Sequence, residues 1–303
     1  MRLDVRQDQD FWSQRMRILL LVVLLFVAPW LDAQSPTARS AIGTDPPRDN
    51  AHPARMEVLH IPTAGQQING VAYLASGEGM HPTAVFFHGL PGNEKNQDLA
   101  QAVRRAGWNA VIFSYRGSWG SPGKFAFSHN LEDADAVFAF LGNTDNAHRY
   151  RIDTRRMVVV GHSMGGWVAA MTAARHPELA GMAMISAADM GRIGSMPRDQ
   201  VIKGTQGNME SLAGTTPERM ADELASMSRR WTFDAAAPNL AKMPVLVLTS
   251  DDGHAMYGDA LVSRLKAEGN PGVTAKHQAT DHSWSDSRIT LATELLEWLE
   301  TLR

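Results

Sequence analysis

Gly161-His162-Ser163-Met164-Gly165 constrains this chain more than any other stretch of it. The four residues before it, Met157-Val158-Val159-Val160, form a short, continuous, β-branched run that reads as a buried strand. The stretch after it, 166–176, is rich in Ala and Met and reads as a helix. A serine at a sharp strand-to-helix turn is forced out of the sheet with its hydroxyl exposed. Glycines on either side fit, because side chains there would collide with the neighbouring strand or helix. In a chain with 25 glycines among 303 residues the pentapeptide alone is a weak signal, and the flanking strand and helix give it weight.

The same alternation runs along most of the chain. Glu57–Ile61 and Ile68–Leu74 read as two edge strands joined by a turn at Gly65. Apolar strand runs follow at Thr83–Phe87, Asn109–Ser114, Met182–Ser186, Val245–Thr249 and Val273–Gln278. Helical patterns separate them at Leu99–Ala106, Leu131–Leu141, Tyr257–Glu268 and Ile289–Leu302. Strands alternating with helices predict a mostly parallel sheet covered on both faces. The segment 188–243 breaks the pattern and holds no clear strand. Thr216-Pro217 starts a helix there, with a capping Thr and Pro at the first position. Met220, Leu224, Met227 and Trp231 line one face of it, either as core against the sheet or as a small lid whose methionines adapt to apolar ligands.

A serine hydroxyl needs a base in hydrogen-bond reach and a carboxylate to orient that base. In a nucleophile turn of this kind the chain order is Ser, then Asp or Glu, then His. The strand 245–249 runs into Ser250-Asp251-Asp252-Gly253, and the strand 273–278 into Thr280-Asp281-His282-Ser283. Both follow the carboxyl ends of parallel strands, where open α/β sheets place their sites. Among eleven histidines, His282 is the expected base. His277 lies inside a strand, His254 begins a helix, and the side chain of His162 is expected to point elsewhere. Asp252 is preferred to Asp251 as the orienting acid. Negative charge developing on a substrate oxygen needs backbone N–H donors set in advance. Met164, after the serine, is one expected donor. Leu90, in the His88-Gly89-Leu90-Pro91-Gly92 turn after strand 83–87, is the other. The loop Tyr115-Arg116-Gly117 through Gly123 is expected to wall the pocket, with Arg116 paired to an acid such as Asp133. Its Gly123-Lys124 fails as a phosphate loop, because residue 118 is Ser and residue 125 is Phe.

Composition narrows the rest. A net charge of −3 with scattered Lys and Arg predicts no nucleic-acid surface. The absence of cysteine excludes disulfides, thiolate metal sites and cysteine nucleophiles. There is no metal motif or G-x-G-x-x-G, so no cofactor is implied. Residues 1–33 read as a signal peptide: Arg15 and Arg17 flank the apolar run Ile18–Ala28, and Ala33 marks a cleavage point, with Met16 an alternative start. That predicts export to the periplasm or medium, with membrane contact only through this segment, or anchoring if it stays uncleaved. Residues 34–55, rich in Pro, Ala, Ser and Arg, read as a disordered linker before a domain at 56–303.

Over 56–303 the chain resembles the α/β-hydrolase superfamily. The likeness rests on His88-Gly89-Leu90-Pro91-Gly92, Tyr115-Arg116-Gly117 through Gly120-Ser121, Gly161 to Gly166, Asp252 and His282. It implies the α/β-hydrolase fold: a mostly parallel eight-stranded sheet, helices on both faces, and a small helical insertion before the acid-bearing strand. It implies nucleophile Ser163, base His282, acid Asp252, and oxyanion donors Leu90 and Met164. It implies a serine esterase or serine aminopeptidase-like enzyme acting on a small acyl substrate. Acyl transfer to an alcohol, or a non-catalytic binding protein of the same fold, are the alternatives. The chain departs from the common strand-Gly-x-x-Asp pattern, with Thr249-Ser250-Asp251-Asp252 in its place.

Overall fold

The structure, a computed structural model, describes residues 38–302. The apolar run and its cleavage point lie outside the described residues. Among the described residues no helix is long and apolar enough to cross a membrane.

Among the described residues eight strands form one sheet, in chain order β1 (Arg55–Thr63), β2 (Gln66–Leu74), β3 (His81–Phe87), β4 (Asn109–Phe113), β5 (Ile152–His162), β6 (Gly181–Ile185), β7 (Val245–Ser250) and β8 (Val273–Gln278). Their spatial order is β1-β2-β4-β3-β5-β6-β7-β8. Only β2 runs against its neighbours, and the pairs from β4 to β8 are parallel. Every residue of β3, β4, β6 and β7 is buried. This is what a continuous apolar run signals: a strand covered on both faces. Val85 and Phe87 pack into one core and Ala84 and Phe86 into the other, as a period of two requires.

Helices fill both faces. With the first core pack α3 (Phe127–Gly142), α5 (Met164–Ala173) and α10 (Ala255–Ala267). With the second pack α2 (Gln97–Arg105) and α11 (Arg288–Glu300). A short α4 (Thr144–Tyr150) leads into β5. The fold class read from the sequence is the one observed.

The linker is corrected over its described part. Residues Ala38–Gly43 form helix α1, and Ala41 is buried in the second core with α2 and α11. Composition pointed to disorder, but one small apolar residue in a groove between two helices anchors the turn.

The expected insertion carries four helices: α6 (Met190–Gly194), α7 (Arg198–Gln206), α8 (Pro217–Met227) and α9 (Phe233–Leu240). Thr216 Oγ1 caps α8 by accepting from Arg219 N–H. The two readings of the α8 face meet in one arrangement. Met220 is fully buried, and Trp231 lies edge-on against Trp167 of α5 at 5.0 Å. Leu224 borders the cavity described below.

Arg116 and Asp133 pair as expected. Arg116 Nε donates to Asp133 Oδ1 at 2.6 Å, and its backbone N–H to Oδ2 at 2.8 Å. Thr63 Oγ1 adds a third donor, so the acid ties β1 and the loop after β4 to α3. Asp133 is fully buried. Removing one partner strands the other as an uncompensated buried charge. Arg116→Met is therefore expected to cost about 3–5 kcal/mol of unfolding free energy in a urea titration. A cost below about 1 kcal/mol would mean that solvent reaches the pair.

Candidate active site

Ser163 has φ 57° and ψ −123°, a left-handed conformation uncommon for a residue with a side chain. Three backbone hydrogen bonds hold it there. Its N–H donates to Ile185 O, and its carbonyl accepts from Gly166 N–H and Ala188 N–H. The flanking glycines are required by close approach. A Cβ on Gly161 would stand 2.0 Å from Gly165 O, and one on Gly165 2.0 Å from Phe87 O. The elbow thus presses β5, α5 and β3 together and pushes the Ser163 side chain off the sheet. Helix α5, buried along its whole length, begins at the next residue.

The loop from β8 to α11 brings His282 to the same place. His282 Nδ1 meets Asp252 Oδ2 at 2.6 Å. Asp252 lies in the turn after β7, and its other oxygen accepts the backbone N–H of His254 at 2.8 Å. Burial is the largest influence on this carboxyl and opposes its charge. The bonds from His282 and His254, with the nearby imidazoles, outweigh burial and hold Asp252 below the usual carboxylate range. The side chain of Asp252 is 2% exposed, against 64% for Asp251. Asp251 points away and meets His277 Nε2 at 3.1 Å, while His277 Nδ1 pairs with Thr249 Oγ1. The preferred acid and base are therefore brought together, and the competing residues form a separate exposed pair.

Two expectations are corrected. The side chain of His162 does not turn away from the site. Its Nε2 lies 2.9 Å from His282 O, and the two rings are 4.8 Å apart. A carbonyl partner requires Nε2–H to be the donor. Burial first, and His282 next, lower His162 to a pKa of about 4, so it braces the His282 loop as a neutral ring. The loop after β4 does not line the cavity but supports the turn that does. Trp119 Nε1 donates to Pro91 O at 2.8 Å, and the Lys95 ammonium lies 4.9 Å over the Trp119 ring.

Sequence reasoning missed one more brace. Buried Trp284, two residues after His282, donates Nε1–H to Ser186 Oγ at 3.0 Å, and Ser186 Oγ pairs with Ser250 Oγ at 2.8 Å. These residues come from β7 and the ends of β6 and the His282 loop. No local pattern links them.

Ser163, His282, Leu90 and Met164 all border one cavity of about 510 Å³. The turn carrying Leu90 crosses directly against the serine: a Cβ on Gly89 would stand 2.9 Å from Ser163 Cβ. Among the described residues, neither Leu90 N–H nor Met164 N–H donates to another backbone group. Met164 opens α5, where the first N–H groups have no partner within the helix. Among the described residues no hydrogen bond joins Ser163 Oγ to His282, and the two meet as walls of the cavity. His254 also lines it, 5.4 Å from His282 ring to ring. The remaining walls come mainly from the insertion and are apolar at Met190, Ile193, Val201 and Leu224. No Asp, Glu, Lys or Arg lines the cavity among the described residues.

Comparison with known proteins agrees with this architecture. A model of the serine aminopeptidase S33 family matches residues 80–239. The α/β hydrolase domain-containing protein WAV2 of Arabidopsis thaliana is 31% identical over 134 residues, 42% of this chain and 42% of that protein. The chain spans about half the length of the curated relatives it matches. An esterase of Pyrobaculum calidifontis superposes with TM-score 0.59 at 20% identity, covering 83% of this chain and 87% of that one. An acylaminoacyl peptidase of Pyrococcus horikoshii superposes with TM-score 0.62 at 15% identity, covering 82% of this chain and 41% of that one.

Proposed function

We propose, from the premise that the chain belongs to the serine aminopeptidase S33 family within the α/β-hydrolase superfamily, that it is a serine hydrolase cleaving a carboxylic ester through an acyl-enzyme on Ser163. The observation that carries this reading is the 2.6 Å contact of His282 with buried Asp252, on the wall of the cavity that Ser163 enters. Asp252 fixes the tautomer, with Nδ1–H as donor and Nε2 bare toward the cavity. Catalytic hydrogen bonds are often open before substrate binds and tighten in the substrate complex. Nε2 takes the Ser163 proton as Oγ attacks the ester carbon. The developing oxyanion accepts from Leu90 and Met164 N–H. Collapse breaks the bond to the alcohol oxygen, which leaves with the proton from His282. Water, deprotonated in turn by His282, attacks the acyl-enzyme and frees the acid and Ser163. A fluorophosphonate probe tests this: the adduct is expected on Ser163, and an unlabelled folded protein contradicts it.

An aminopeptidase must neutralise the free α-ammonium of its substrate. The cavity offers no carboxylate side chain among its described lining residues, which favours the ester. Export of the mature enzyme belongs to the same proposal. N-terminal sequencing of protein from the medium or periplasm should begin near Ala33, and an intact apolar run there would contradict cleavage.

Trp119 enters as a positioning residue. It sits at φ 48° and holds the carbonyl next to the Leu90 donor. Trp119→Phe keeps the ring and removes the N–H. One hydrogen bond of about 1 kcal/mol predicts about a fivefold lower kcat with KM nearly unchanged. Weaker inhibition by an alkyl boronic acid should accompany it. A change confined to KM would place Trp119 in substrate binding instead.

A further inference from the structure

The insertion contains a glycine that the fold itself does not require. In α7 the residues Gln200 and Gly204 lie four positions apart and border the cavity, as does Asn208 in the turn just beyond the helix, beside a second row of Val201 and Thr205. Val201 and Thr205 are buried, whereas Gln200 and Gly204 are exposed, so the Gly204 row faces open space. Glycine inside a helix costs about 0.5–1 kcal/mol against alanine. Two structural reasons usually repay that cost, a positive φ or a close approach. Gly204 has neither: it is absent from the positive-φ positions, and a Cβ built on it meets nothing within 4 Å. The contrast within the same insertion is sharp. A Cβ on Gly194 of α6 would stand 2.3 Å from Leu224 O, and one on Gly191 2.6 Å from Ser228 O. Those two glycines let helices touch. Gly204 leaves open space at the exposed edge of the cavity that it borders.

The lining of that cavity includes the apolar Met190, Ile193, Met196 and Leu224 beside uncharged polar groups such as Thr205 and Tyr257, and none of its described lining side chains is Asp, Glu, Lys or Arg. A space of this kind suits an uncharged hydrocarbon chain and penalises a charged one, which would be desolvated without a partner.

We propose that the space at Gly204 is the acyl slot of the enzyme, that its substrates are esters of uncharged, medium-length acyl chains, and that the size of residue 204 sets the chain length accepted. The proposal rests on Ser163 being the nucleophile. Each methylene that leaves water in the slot raises kcat/KM by about fourfold until the slot is full.

The test is a series of p-nitrophenyl esters from acetyl to decanoyl, measured on the wild type, Gly204→Ala, Gly204→Leu and Lys203→Leu. Lys203 is exposed, on the same helix, and does not border the cavity. In the wild type, kcat/KM should climb from acetyl to octanoyl. In Gly204→Leu the octanoyl-to-acetyl ratio should fall by at least about tenfold, with Gly204→Ala between and Lys203→Leu at the wild-type ratio. A free α-amino group on the octanoyl chain should cost at least about tenfold in the wild type. Because a Leu at 204 enters open space, the variants should melt at or above the wild-type temperature. A ratio unchanged in Gly204→Leu, a wild type that prefers acetyl, or a preference for the aminoacyl ester would each overturn the proposal. These failures are separable from failure of the hydrolase reading, since Ser163→Ala reports on the nucleophile whatever the chain-length profile.

Discussion

Ser163→Ala is expected to lower kcat for a short p-nitrophenyl ester by about 10⁴-fold or more, with the fold intact. On the proposed mechanism the serine supplies the attacking oxygen. His282→Ala should fall by a similar factor, and the double variant should fall no further, because on the proposed mechanism nucleophile and base act as one unit. Neither His162 nor His277 can substitute. His162 is buried, with its Nε2–H donated to His282 O and a pKa of about 4. His277 is committed to Thr249 and Asp251 on the exposed side of β8. His277→Ala should accordingly leave turnover within about twofold of wild type. The strain stored at Ser163, φ 57°, survives because three backbone hydrogen bonds over-determine it. Alanine at that position keeps all three, so a loss of activity there reads on chemistry and not on folding.

Asp252→Asn is expected to cost on the order of 10⁴-fold in kcat, and Asp251→Asn less than about twofold. The amide keeps the shape of the carboxylate but can present an N–H to His282 Nδ1. That reverses the tautomer and points a proton at the serine. It also removes the negative charge that stabilises the imidazolium. Asp251 differs from its neighbour only in direction, facing solvent and His277. A second signature follows from linkage. The Asp252 carboxyl is held below its ordinary value in the folded protein. It therefore adds stability at pH above the ordinary carboxylate range, and that stability is lost as pH falls through the lowered folded value. The stability gap between wild type and Asp252→Asn should be widest near neutrality and close in acid. Equal activities for the two Asn variants would mean that the 2.6 Å contact with His282 does not orient the base.

What was legible in the sequence follows from how local each feature is. The serine turn could be read because its cause is local: a β-branched run, two glycines forced by contact, and an Ala-rich helix. The parallel core strands could be read because burial on both faces leaves continuous apolar runs. The helices of the insertion could not, apart from the one opened by Thr216-Pro217. Helix α7 reads RDQVIKGTQ, with few apolar residues and an internal glycine, and α9 carries Pro238 inside it. The choice between Asp251 and Asp252 stayed open because adjacent side chains diverge and only the turn geometry decides which one faces inward. The bracing by His162 and Trp284 was missed for a different reason. Both act on the His282 loop across the sheet, through a contact 120 residues apart in one case and 98 in the other. Helix α1 was misjudged because a single buried Ala41 outweighs the polar composition around it.

The central claim is a covalent acyl-enzyme on Ser163, and acid-quenched mass spectrometry reads it most directly. The protein is mixed with p-nitrophenyl octanoate, stopped within the first turnovers, digested and mapped. The account predicts one added octanoyl group, on the peptide containing Gly161-His162-Ser163-Met164-Gly165, and its loss in Ser163→Ala. Accumulation should rise in Asp252→Asn if deacylation slows more than acylation. An octanoyl group on any other residue with turnover intact, or turnover with burst kinetics and an unmodified Ser163, would contradict it.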